Sequence, residues 1–81
     1  MIGGTNPSLT IGDGGEEDTK IVFDAHSGGE DFYIGVDDSA DSLKIGLGSS
    51  VGTNTAITLN GDANATFAGN VTVAGNFTVQ G

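Results

Sequence analysis

Residues 64–81 read Asn64-Ala65-Thr66-Phe67-Ala68-Gly69, Asn70-Val71-Thr72-Val73-Ala74-Gly75 and Asn76-Phe77-Thr78-Val79-Gln80-Gly81. The unit Asn-x-Thr-(apolar)-x-Gly recurs three times without a gap, with apolar second and fourth positions: Ala65/Phe67, Val71/Val73 and Phe77/Val79. Side chains alternate along an extended chain, so those pairs share one face and Thr66, Thr72 and Thr78 share the other. Each unit predicts a strand of three or four residues closed by a Gly–Asn corner, because Gly and Asn tolerate positive φ. Six residues cannot bury two apolar side chains alone, so the units are expected to stack or wind around neighbours. Stacked repeats need a polar cap. None follows Gly81, and the repeat is therefore expected to continue in the natural chain.

Upstream the same logic applies at a longer interval. Short β-like runs, each closed by Gly, Asp or Asn, occur at Ser8-Leu9-Thr10-Ile11, Lys20-Ile21-Val22-Phe23, Phe32-Tyr33-Ile34-Gly35-Val36, Ser42-Leu43-Lys44-Ile45-Gly46-Leu47 and Ala56-Ile57-Thr58-Leu59. Several alternate with a period of two, such as Leu43/Ile45/Leu47 around Lys44. Ile11, Ile21, Ile34, Ile45 and Ile57 recur at intervals of 10 to 13 residues, with turn-forming residues between them. Strands so evenly spaced indicate a sandwich, a barrel or a solenoid. Frequent glycine leaves no window for an amphipathic helix. The chain thus divides into an acidic β-repeat segment, 1–62, and a hexapeptide shaft segment, 63–81.

Composition points to assembly. In 81 residues there are six Ile, six Val, four Leu and four Phe, against fifteen Gly and no Cys. A single domain of this size buries only about 60% of its unfolded surface and is marginal without a disulfide, a metal or a partner chain. With no thiol and no credible metal cage, oligomerisation remains. Disorder is the competing reading of a net charge of −9. Against it, the bulky apolar residues make up about a quarter of the chain, above the ~20% below which disorder is expected. Ten of the eleven acids lie in residues 1–41. Such a chain is repelled by phosphate backbones and anionic lipid, which argues against nucleic-acid and membrane-surface roles. No apolar stretch approaches the ~20 residues of a membrane span, and no signal-peptide pattern opens the sequence.

Chemical motifs are weak. Gly48-Ser49-Ser50-Val51-Gly52 matches the G-x-S-x-G nucleophile elbow, but Thr53-Asn54-Thr55-Ala56-Ile57-Thr58 reads as loop and strand where the elbow needs a helix. His26, the lone histidine, precedes Ser50, the wrong order for a hydrolase triad, and sits in a turn-like stretch with no second ligand nearby. The clusters Asp13-Gly14-Gly15-Glu16-Glu17-Asp18 and Asp37-Asp38-Ser39-Ala40-Asp41 lack the spacing of a calcium loop. Asn60-Gly61-Asp62-Ala63-Asn64 has the alternation but carries Ala65 and Val71 where the loop needs Gly and Glu. All of these are expected to be solvated turns. The three N-x-T sequons in the hexads follow from the repeat itself. The expectation is no catalytic residue, no cofactor and no metal site: not an enzyme.

The stretch Leu9-Thr10-Ile11-Gly12-Asp13-Gly14-Gly15-Glu16-Glu17-Asp18-Thr19-Lys20-Ile21-Val22-Phe23-Asp24 resembles repeat segments of tail-fibre-like structural proteins of marine bacteriophages, as do 31–41 and 43–49. Residues 69–81 are similar to shaft segments of the same class. The resemblance implies an extracellular, virion-borne trimeric fibre. His26-Ser27-Gly28-Gly29 departs from the Gly/Asn/Gln turn expected there. A second resemblance, carried by Thr10-Ile11-Gly12, Tyr33-Ile34-Gly35 and Lys44-Ile45-Gly46, is to the Ile-Gly steps of trimeric adhesin heads on bacterial surfaces.

The expectation is an all-β, elongated repeat architecture, with short strands wound as a trimeric β-helix or β-prism fibre. Its role would be a rigid spacer in host attachment. Its partners would be copies of itself, other virion or fibre proteins and a host-cell surface receptor, with no nucleic acid and no membrane insertion. The alternative is a head or stalk segment of a bacterial surface adhesin that binds its receptor directly.

Overall fold

The computed structural model describes residues 2–25, 27 and 30–81. The chain is all-β. Five strands follow one another in sequence order as a single antiparallel meander: β1 (Thr19–Phe23), β2 (Phe32–Asp37), β3 (Ser42–Leu47), β4 (Thr55–Leu59) and β5 (Ala65–Phe67). A 3₁₀ turn, Asp38–Ala40, links β2 to β3, and Asp41 closes it in the left-handed region at φ 49°. The sheet runs without a break from the acidic segment into the first hexad.

The even spacing of isoleucines becomes a row across the sheet. Ile21 stands opposite Ile34, Ile34 opposite Ile45, Ile45 opposite Ile57, and Ile57 opposite Phe67. One passage through a strand and its turn consumes 10 to 13 residues, so each isoleucine returns to the same height. A parallel row runs through Val36, Leu43, Leu59 and Ala65, and a third joins Phe23, Phe32 and Leu47. All three rows point to one face because side chains alternate.

Register breaks between Ile45 and Gly46, where Ile45 pairs with Ile57 but Gly46 pairs with Thr55. The extra residue is Ala56, and a bulge of this kind re-aims its neighbours. Here it turns Thr55 away from the isoleucine face and toward Tyr33, whose hydroxyl lies 2.9 Å from Thr55 Oγ1.

Several expectations fail. Ser8–Ile11 is not a strand. Its alternation is real, but the chain after it passes through Gly12 and Gly14 at φ 103° and 86°, and no neighbouring edge pairs with it. Residues 70–75 and 76–81 are likewise not strands, although the same unit forms β5 at 65–67. The difference lies in pairing, since only the first unit lies beside β4. The described residues form no β-helix coil, because the meander reverses direction at every connection instead of winding. The radius of gyration is 15.2 Å, against about 12 Å for a compact domain of this length.

Candidate interaction surface

The two faces of the sheet have opposite fates. The face bearing Tyr33, Gly35, Gly46 and Lys44 is covered by the connection between β3 and β4, residues 48–54. Tyr33 is fully buried, the one large apolar side chain so placed among the described residues. Its hydroxyl donates to the Thr53 carbonyl at 3.0 Å and accepts from the Gly52 N–H at 3.3 Å, with Thr55 Oγ1 as third partner. One donor and two acceptor sites are thereby filled. Lys20 Nζ donates to the Ser49 carbonyl at 2.6 Å and anchors the other end of the connection.

Glycine is required beneath it. A Cβ on Gly35 would stand 2.6 Å from the Thr19 carbonyl and 2.7 Å from Val51 Cγ2. On Gly46 it would stand 2.5 Å from the Asn54 carbonyl and 2.7 Å from the Tyr33 hydroxyl. The Ile-Gly steps at 34–35 and 45–46 therefore each set a large residue on the open face and a gap on the covered one. Beside this layer, Lys44 Nζ meets Asp37 Oδ2 at 2.7 Å with both side chains mostly buried. The Lys44 hydrogen bond, and then one from Ser39, hold the Asp37 carboxyl below its ordinary range.

The isoleucine face has no cover. Ile21, Phe23, Phe32, Ile34, Val36, Leu47, Leu59 and Phe67 are each 37–51% exposed. At ~200 Å² for a large apolar side chain this amounts to on the order of 600 Å². That is the upper end of the largest patch on an ordinary monomer, and near the ~800 Å² each partner gives to a stable interface. No charged residue stands in its three rows. At one edge Ile11 leans over it, forming with Thr19, Ile21, Ile34, Val36 and Leu43 a shallow groove of about 160 Å³. Ile11 thus joins the isoleucine face without forming a strand.

The residues singled out for chemistry lie apart. Ser50 is exposed in the 48–54 connection, which leads into β4 and not into a helix. His26 lies outside the described residues. Asp13 Oδ1 accepts from the Gly15 N–H at 3.0 Å, and this bond, chief among several, lowers its pKa. Asp38 takes part through its N–H, which donates to Asp18 Oδ1 at 2.8 Å. In 60–64 the Asn60 side-chain oxygen accepts from the N–H groups of Asp62 and Asn64, and Ala63 sits at φ 65°. That oxygen closes a turn. Among the described residues no three His, Cys, Asp or Glu side chains gather as a metal site would need, and no helix is long and apolar enough to cross a membrane.

The burial of Tyr33 and the one-sided exposure of the sheet were not read from the sequence. Alternation in the strands signalled two faces, but which one the 48–54 connection would cover depends on contacts about 20 residues apart. No protein family, characterised protein or solved structure matches the chain.

Proposed function

We propose that this chain is a structural segment that assembles with copies of itself, as a homotrimer, into a rigid spacer of a virion appendage of the tail-fibre kind. The observation that carries the reading is the uncovered isoleucine face. A sheet with one buried tyrosine and eight half-exposed large apolar residues lacks the second layer that a domain needs around its core. An identical uncharged face on another copy supplies that layer without burying a charge. The acids of residues 1–41, the hydroxyls of the 48–54 connection and the threonines then form the outer surface. A mechanical role fits an open apolar face suited to assembly, and the resemblance to phage fibre segments, which implies an extracellular role, is in keeping with it.

A surface-adhesin reading draws on the same face, with Phe23 and Phe32 half-exposed beside one another for a receptor. Small-angle scattering separates the two. The spacer requires an assembled particle whose longest dimension well exceeds the 39 Å of the single chain. A particle no longer than the single chain, with the isoleucine face open to solvent, contradicts it.

A further inference from the structure

The first hexad shows what a hexad does when it has a neighbour. As β5 it pairs antiparallel with β4, with Thr66 opposite Thr58, and its second and fourth residues join the isoleucine face opposite Leu59 and Ile57. The second and third hexads have the same unit. Their backbone bends at 68–69 and again at 74–75, so the six-residue period is expressed in the chain path. Yet among the described residues no backbone hydrogen bond reaches 69–81. Val71, Val73, Phe77 and Val79 are 46–77% exposed.

Successive hexads do not pair with each other in this geometry. A two-residue reversal between strands takes a type I′ or II′ turn, which needs positive φ at its first central residue. Neither 68 and 69 nor 74 and 75 lie in that region. Each junction turns a corner without folding back, contrary to the positive-φ corner that the Gly–Asn steps suggest. Residues 70–81 are therefore strand-patterned, bare on both edges and do not satisfy one another.

We infer that residues 70–75 and 76–81 are pairing elements whose partners are the hexads of a second copy of this chain. Like units side by side place threonine against threonine on one face, as Thr58 and Thr66 already stand, and apolar against apolar on the other. Such pairing also covers the open edge of β5, which otherwise invites indiscriminate strand addition. The inference rests on self-association but on a different contact from the isoleucine face.

Amide hydrogen exchange of the full chain at low and high protein concentration tests it. Amides of 70–81 should exchange freely when dilute and slow by on the order of 100-fold when assembled. Thr72→Pro removes one strand donor and should abolish the slowing in 70–75, while amides of Thr19–Phe23 and Phe32–Asp37 stay protected. An assembled species in which 70–81 still exchange freely overturns the inference but leaves association through the sheet face standing. Protection that is independent of concentration, or unchanged by Thr72→Pro, also overturns it. A chain that is monomeric at every concentration overturns both.

Discussion

The hydroxyl of Tyr33 donates to the backbone carbonyl of Thr53 at 3.0 Å, and this bond ties a strand to the connection that covers one face of the sheet. With 48–54 drawn onto one face, the other stays uncovered. Tyr33→Phe keeps the ring and removes the hydroxyl, leaving Thr53 and Gly52 without their partner. The expected cost is about 1–3 kcal/mol in denaturant unfolding, with faster exchange at the Gly52 amide. The isoleucine face is untouched, so the assembled mass should stay the same.

Gly46→Ala should cost at least as much. The new Cβ meets the backbone carbonyl of Asn54, which cannot swing aside as the end of a side chain would. Gly61→Ala is the control, because its Cβ finds nothing nearer than 3.9 Å and its φ is not positive. Urea midpoints of the two variants should separate clearly, with Gly61→Ala close to the parent.

The Asp37–Lys44 pair sets a pH dependence. Its neighbours lower the Asp37 pKa from an ordinary 3.8, so the folded state binds its proton less readily than the unfolded chain. The stabilisation is fully present above the unfolded value and is lost as pH falls through the folded one. Fluorescence of Tyr33, the one tyrosine in a chain without tryptophan, should report loosening of the 48–54 connection as pH falls below the ordinary aspartate value of 3.8. In Asp37→Asn that part of the acid transition should disappear.

Faces in the hexads are tested by a pair of neighbouring substitutions. By analogy with Phe67 and Thr66 in β5, Val73 belongs to the apolar side and Thr72 to the other. In the proposed assembly Val73→Asp would bury one carboxylate per copy, at several kcal/mol for each uncompensated charge. Thr72→Asp adds only a screened surface repulsion. Melting curves should show Val73→Asp far less stable than Thr72→Asp. Equal melting would mean that the alternation seen in β5 does not extend down the repeat.

Much of the fold was legible because its signals are local. Alternation around Lys44 marked β3 at its observed limits, and the runs at 20–23, 32–36 and 56–59 fall within a residue of β1, β2 and β4. Leu9 and Ile11 carry the same alternation without a strand, because pairing is a property of the neighbour and not of the run. The same distinction separates β5 from the two hexads after it. Nothing local announces that Gly35 and Gly46 lie under a connecting segment, or that Tyr33 would be the buried residue. Those facts depend on where 48–54 comes to rest.

The proposed interface between copies is the isoleucine face. Ile34 lies in its middle, between Ile21 and Ile45, and Ile34→Asp would set a charge there. Sedimentation equilibrium of the parent and of Ile34→Asp at the same concentration is the most direct test. The parent is expected at three times the 8.0 kDa of one chain, and the variant should no longer assemble. A folded parent of 8.0 kDa at all concentrations, or a variant as fully assembled as the parent, would contradict it.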